Sequence, residues 1–117
     1  MCKACKAYEG RADLGNTEPG DGVRFKGRGL IQITGRANYA SCGSALGLDL
    51  LADPELLESP ANACRSAAWF WESRGLNELA DAENFRLITI RINGAIAKHT
   101  HYEDRLAYWE LAKEAIA

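Results

Sequence analysis

The segment from Gly20 to Tyr39 constrains the fold more than any other part of this 117-residue chain. Hydrophobic and polar residues alternate from Val23 to Ile33, a pattern typical of a half-buried strand. Gly27 and Gly29 interrupt the alternation, and glycines inside a strand mark a bend or the close approach of another backbone. From Gly35 the hydrophobic spacing becomes helical. We therefore predict a polar strand that leads directly into a helix.

Start and stop signals for helices recur through the rest of the chain. Proline follows Asp53 and Ser59, where it suits the first turn of a helix, and Gly75 suits a helix end. We predict a mainly α fold of α+β type, with helices packed around a small irregular β element. We expect one helix to end near Leu46 and a second to run from Pro60 to about Ser73. A third would begin at an Asp81 cap and end at Asn93-Gly94, and a last helix would begin at a Thr100–Glu103 capping box.

Composition limits the domain number and the partners. The length and the 47% apolar share fit a single domain over residues 1–117. A net charge of −2 argues against attraction of the whole protein to nucleic acid or anionic membranes. No stretch approaches the roughly twenty apolar residues of a membrane span. The first residues lack an apolar signal-peptide region, so we expect synthesis in the cytoplasm.

Three basic residues, Arg24, Lys26 and Arg28, alternate along the predicted strand and would share one face. No aromatic residues are interleaved with them, which disfavours a nucleic-acid site. The alternatives are a solvated edge or a contact for a partly anionic polymer.

The four cysteines give no clear metal site. Cys2 and Cys5 form a C-x-x-C pattern, which suits a redox pair or half of a zinc site. The other half is missing, because Cys42 and Cys64 are isolated. We expect buried or incidental thiols, no metal and no cofactor.

Within the first segment, GRGLIQITGRANY closely resembles the core motif of family 19 glycoside hydrolases, the chitinase and phage-endolysin family with a lysozyme-like fold. The resemblance implies an inverting glycosidase that cleaves β-1,4 bonds of peptidoglycan or chitin. The lead-in YEGRADLGNTEPGDG is similar to endolysins and favours a phage-derived lysis enzyme, which a holin would release to the cell wall. Four further blocks resemble the family in order: Tyr8 to Gly22, Leu46 to Pro60, Cys64 to Gly75, and Ile88 to Gly94.

The catalytic carboxyl groups are the main departure from this resemblance. Glycoside hydrolysis needs one carboxylic acid and one carboxylate. In the family both glutamates belong to a His-Glu-Ser/Thr-Gly-Gly block and the segment after it, and these 117 residues contain no such block. The resemblance therefore implies the C-terminal part of a catalytic domain. Glu9 is the first candidate for a substitute carboxylate, although a solvated or ion-paired surface glutamate is the simpler interpretation.

Supporting residues match the family better. Gln32 and Thr34 match positions on the strand that lines the cleft, and Thr34 matches a hydroxyl that holds the attacking water. Asn38 and Tyr39 match a substrate-contacting pair at the start of a helix. Asn93 matches a cleft asparagine and also suits a left-handed helix stop, and a sixth substrate residue is Arg105.

Three hypotheses follow for the chain as a whole. It could be an active glycosidase that acts on a polysaccharide. It could be a remnant that binds an aminosugar polymer without cutting it. It could also be a split-gene product that needs a separate N-terminal partner, since a domain without its leading helices exposes the faces they covered.

Overall fold

The computed structural model describes residues 2–116, apart from the side chains of residues 4 and 99. Within this part of the chain the only β-pairing is an isolated antiparallel bridge between Arg28 and Ile33. The predicted mainly α architecture with a small irregular β element is therefore confirmed. The α-helices of the described residues are α1 (Lys3–Tyr8), α2 (Asp21–Arg24), α3 (Arg36–Leu46), α4 (Pro60–Ser73), α5 (Leu76–Asp81), α6 (Phe85–Asn93) and α7 (Tyr102–Ile116), and 3-10 turns cover Ala12–Leu14, Pro54–Glu58 and Lys98–Thr100.

The chain forms two compact units, the first ending at Trp71 and the second beginning at Glu72. Each has its own buried residues. The prediction of a single domain over residues 1–117 stays a prediction. No helix in the described range is long and apolar enough to cross a membrane.

The predicted strand from Val23 to Ile33 is wrong. Its first residues belong to α2, which starts after Gly20 with φ at +90°. Only Arg28 and Ile33 pair, through two backbone hydrogen bonds of 3.2 and 3.0 Å. A strand needs a partner along its length. The alternation instead arises from one helical turn followed by a tight hairpin with a four-residue loop from Gly29 to Gln32.

Several helix ends agree with prediction. Gly47, Gly75 and Gly94 each follow a helix and have positive φ, as expected for glycine after a last turn. The hydroxyl of Ser59 accepts a hydrogen bond from the backbone N–H of Asn62 at 3.3 Å, so α4 starts at Pro60 as predicted.

Two predicted caps are wrong. Asp81 is the last residue of α5, and Asn84 caps α6 instead by accepting a 3.1 Å hydrogen bond from the backbone N–H of Leu87. The Thr100 hydroxyl donates to the carbonyl of Ala97 at 2.7 Å, inside a separate 3-10 turn. Local bonding of this kind competes with helix capping, so no capping box forms.

The core of the first unit includes buried residues of the Gly20 to Tyr39 segment. Phe25 and Tyr39 are fully buried, with ring centroids 5.2 Å apart. Trp69 and Phe70 of α4 are partly buried and pack against this core. The remaining buried members are Ile33, Cys42, Leu50 and Leu57.

The second unit is built around aromatic rings. Phe85 of α6 stacks on Trp109 of α7 at 5.3 Å with an interplanar angle of 16°. The ammonium of Lys113 lies 3.9 Å from the Trp109 ring centroid. Leu76 is fully buried at the start of α5.

Candidate functional site

The first unit contains a groove of about 410 Å³ between α1 and the hairpin. Gln32 and Thr34, two of the predicted substrate residues, lie together in its wall. The described residues that line it are Cys2, Cys5 and Tyr8 from the α1 side and Lys26, Gly27, Gln32 and Thr34 from the hairpin side.

The hairpin loop fixes the position of Gln32. Gln32 has φ of +59°, an uncommon value for a residue with a side chain. Its Nε2 donates a 3.0 Å hydrogen bond to the carbonyl of Gly29. The Oε1 atom of the amide keeps its acceptor capacity, so this side chain offers a ligand an oriented carbonyl.

A hydrogen bond to the backbone fixes the direction of the Thr34 hydroxyl. Its Oγ1 donates a 2.9 Å hydrogen bond to the carbonyl of Gln32. Because the hydroxyl proton is used in this way, the lone pairs of the oxygen remain to accept a hydrogen bond from water or a sugar hydroxyl.

Gly27 leaves room for both side chains. A Cβ atom at this position would lie 2.6 Å from Oε1 of Gln32 and 3.1 Å from Oγ1 of Thr34. Any larger residue must displace them, so the glycine sets the shape of the groove at this point.

Asn38 supports the groove from α3. Its Nδ2 donates a 2.8 Å hydrogen bond to the carbonyl of Thr34, and the side chain is half-buried. It does not line the groove, so its effect on a ligand would be transmitted through Thr34.

The predicted direct contact between Tyr39 and substrate needs correction, because Tyr39 is fully buried. The phase of α3 turns position 39 inward, to the face it shares with Cys42. Burial raises the pKa of Tyr39 although Arg28 opposes the shift, so the phenol stays protonated. It donates a 2.6 Å hydrogen bond to the carbonyl of Lys26. Tyr39 therefore positions the hairpin.

The three basic residues of the hairpin region do not share one face. Arg24 donates to the carbonyls of Leu51 and Ala52. Arg28 is 8% exposed and donates to the Tyr39 hydroxyl at 3.0 Å and to the Arg24 carbonyl at 2.7 Å.

Arg28 also forms a 3.0 Å ion pair with Glu58. Its donors thus serve the packing of the hairpin. Lys26 alone of the three basic residues lies in the groove wall.

Glu9 lies outside the groove lining and is held by backbone groups. Its Oε2 and Oε1 accept hydrogen bonds from the backbone N–H groups of Gly20 at 2.9 Å and Gly22 at 2.7 Å. Both oxygens thus tie the end of α1 to the start of α2. No carboxylate occurs among the described residues that line the groove.

A polar frame that the sequence did not reveal supports the groove. Asn16, fully buried, donates to the carbonyl of Tyr8 and accepts from the backbone N–H of Arg36, both at 2.9 Å. Arg36 also donates two hydrogen bonds to the buried carboxylate of Asp21, at 2.9 and 2.8 Å. These bonds, with burial opposing them, lower the pKa of Asp21. The frame joins α1, α2 and α3.

Asn93 and Arg105 belong to the second unit. Asn93 is the last residue of α6 and donates a 3.3 Å hydrogen bond to the carbonyl of Thr89. The left-handed residue of this helix stop is Gly94, with φ of +83°, so the interpretation of Asn93 itself as the left-handed stop is wrong. The guanidinium of Arg105 lies 5.7 Å from the ring centroid of Phe85. Their roles in substrate binding stay predictions.

The C-x-x-C pair forms a disulfide between Cys2 and Cys5, so the expectation of thiols is wrong at these positions. Cys42 is a free thiol whose pKa is raised by burial, and Cys64 is free and exposed. Together with Tyr8, the disulfide forms the wall opposite the hairpin. Sequence reasoning missed this wall, although the C-x-x-C spacing was a visible signal.

Comparison with known proteins shows which family the chain resembles. The family model described as chitinase class I, of glycoside hydrolase family 19, matches residues 5–80. A glycosyl hydrolase family 19 domain-containing protein of Haemophilus influenzae is 38% identical over 94 residues, which are 80% of this chain and 44% of the relative.

Plant relatives match over shorter segments. An endochitinase of Arabidopsis thaliana is 52% identical over 54 residues, covering 45% of this chain and 20% of the relative. A second Arabidopsis endochitinase is 43% identical over 74 residues, which are 62% of this chain and 26% of the relative. The matched part of the chain therefore spans less than half the length of these relatives.

Proposed function

The chain belongs to glycoside hydrolase family 19, and from this premise we propose that its groove binds a β-1,4-linked polymer of N-acetylated aminosugars. The observation that carries the proposal is the meeting of Gln32 and Thr34 in one groove, within the segment that matches the family. Amide and hydroxyl groups pair well with sugar hydroxyl and acetamido groups. Tyr8 adds an aromatic surface for the apolar face of a sugar ring.

We propose hydrolysis as the reaction to which this groove contributes. In the inverting mechanism of the family, one carboxylic acid protonates the leaving oxygen while a carboxylate activates water. Thr34 would hold that water, because its hydroxyl already donates to the carbonyl of Gln32 and can accept a hydrogen bond from the water. The support comes from the geometry of Thr34 and from the family.

The acid and base are proposed to come from polypeptide outside these 117 residues, in the same chain or a separate one. Two observations support this. The chain matches only 44% of the Haemophilus relative, and both oxygens of Glu9 accept backbone hydrogen bonds. The 117 residues alone would then bind polymer without efficient turnover.

Peptidoglycan is proposed as the polymer in preference to chitin, and a phage lysis enzyme as the origin. The support is the resemblance of the segment from Tyr8 to Gly22 to the endolysin lead-in. Such an enzyme would be made in the cytoplasm and act at the cell wall.

The experiment measures binding and cleavage separately. The purified chain is incubated with insoluble peptidoglycan and with chitin, and pelleted protein and released reducing ends are both quantified. We expect pelleting without release of reducing ends, for the chain and for Glu9→Gln alike. Release that Glu9→Gln abolishes would instead show that Glu9 is the catalytic carboxylate of an active enzyme. A chain that stays in the supernatant would contradict the proposed function.

Two substitutions, one in the groove and one behind it, should weaken binding in that assay. Thr34→Val removes the hydroxyl with little change of shape, and Asn38→Ala removes the hydrogen bond that holds the Thr34 carbonyl. One net hydrogen bond is worth about 1 kcal/mol, so we expect each to weaken binding about fivefold. Glu18→Ala, at an exposed position outside the groove, is the control and should bind like the unmodified chain. Equal effects of all three would contradict the assignment.

A further inference from the structure

Lys26 is the charged member of an otherwise neutral groove. Among the described residues that line it, the others are a disulfide, a tyrosine, a glycine, a glutamine and a threonine. Lys26 is exposed and forms no ion pair with a carboxylate in the described part of the chain. Its ammonium group is therefore available to a ligand.

The backbone of Lys26 is fixed more firmly than an exposed position requires. The buried Tyr39 hydroxyl donates a 2.6 Å hydrogen bond to its carbonyl, and its N–H bonds to the carbonyl of Val23 at 3.4 Å. The next residue, Gly27, lies against the Gln32 and Thr34 side chains. The ammonium thus extends on a flexible stem from a rigid point beside the neutral hydrogen-bonding groups.

We propose that Lys26 determines specificity by binding a carboxylate on the aminosugar polymer. The inference rests on the proposed function of the groove and adds the residue that would select the polymer. A polymer of N-acetylglucosamine alone has no charge to pair with Lys26. In a polymer in which every second aminosugar carries a lactyl ether, each of those sugars has a carboxylate. The carboxylate is either the free lactyl group or belongs to a peptide stem attached to it. An ammonium and a carboxylate attract each other most at low salt.

The test compares dissociation constants for three ligands at low salt. They are a neutral N-acetylglucosamine tetramer, a glycan fragment with free lactyl carboxylates, and the same fragment with peptide stems. The variants are Lys26→Met, which removes the charge at similar length, and Lys26→Arg, which keeps it. Lys6→Met is the matched control, because Lys6 is an exposed lysine outside the groove.

We expect the unmodified chain to bind one or both anionic ligands about three- to tenfold more tightly than the neutral one, as for an exposed ion pair. Lys26→Met should lose this preference. Lys26→Arg and Lys6→Met should keep the preference, and added salt should remove it. The ligand that shows the preference identifies the source of the carboxylate.

Two outcomes overturn the inference and are distinguishable. Equal affinities of the unmodified chain for all three ligands, or a preference that survives in Lys26→Met, would exclude Lys26 as the determinant and leave the proposed binding of aminosugar polymers intact. A chain that binds none of the three ligands would refute the proposed function and this inference with it.

Discussion

Asp21→Asn is expected to lower the free energy of unfolding by about 2 kcal/mol at pH 7, the range for hydrogen bonds to charged groups. Asp21 is 1% exposed and accepts two hydrogen bonds from Arg36 and one from the backbone N–H of Glu18 at 3.2 Å. An asparagine cannot replace it, because one carboxylate oxygen becomes an NH₂ group. That NH₂ group would face an N–H donor whose hydrogen bond the oxygen accepted. Urea unfolding measures the difference.

The stability lost in Asp21→Asn should depend on pH, and the direction of this dependence identifies the carboxylate as its source. The pKa of Asp21 lies below its usual value because of Arg36. A carboxyl group with a lowered folded pKa stabilises the protein above its unfolded pKa, near 3.8, and loses that contribution as pH falls through the folded value. Asparagine does not titrate. The gap between the two proteins should therefore be full at pH 7 and shrink below about pH 4.

Asp13→Asn provides the matched control. Asp13 also pairs with an arginine, Arg11, at 2.6 Å, but the two side chains are 63% and 44% exposed. Water screens such a pair, so this substitution should change stability far less than Asp21→Asn. Equal losses in both variants, or a gap for Asp21→Asn that stays constant down to pH 3, would contradict the account of the polar frame.

Gly22→Ala is expected to destabilise the protein by about 3 kcal/mol, at the upper end of overpacking costs. A glycine-to-alanine change inside a helix ordinarily stabilises it by up to about 1 kcal/mol. Here the added Cβ would meet the carbonyl oxygen of Cys5 and lie 2.8 Å from the backbone nitrogen of Glu9. These are backbone atoms of α1 and its end, so the helices must separate. The same move would strain the bond between Glu9 and the Gly22 N–H.

Val23→Ala is the control on the same helix. Val23 is 42% exposed, and we expect a change within about 0.5 kcal/mol. Thermal or urea unfolding of the two variants measures both losses of stability. The comparison distinguishes the effect of the close contact between α1 and α2 from a general sensitivity of α2 to substitution. A Gly22→Ala protein as stable as the unmodified chain would show that the helices do not pack this closely.

Local signals in the sequence were sufficient for four helix ends. Glycine at positions 47, 75 and 94 and proline at 60 act on the backbone next to them, so their effect is visible without the fold. The strand prediction failed because alternation over a few residues does not distinguish a strand from a helical turn followed by a hairpin.

The candidate site was predicted in part. Gln32 and Thr34 were assigned from the family motif, and they do lie together in a groove. The buried position of Tyr39 depends on the rotation of α3 against the hairpin. The pairing of Asp21 with Arg36 joins residues 15 apart in sequence. Neither has a local signature, because tertiary contacts decide both.

The central claim is that the groove between α1 and the hairpin binds an aminosugar polymer. Its most direct test is the Gly27→Ala variant, since the added Cβ would occupy the space beside Gln32 Oε1 and Thr34 Oγ1. Titration with a soluble N-acetylglucosamine tetramer, after circular dichroism has confirmed the fold, measures the affinity of both proteins. We predict saturable binding by the unmodified chain and about tenfold weaker binding by Gly27→Ala. Equal affinities of the two folded proteins would place binding elsewhere, and no binding by the unmodified chain would refute the claim.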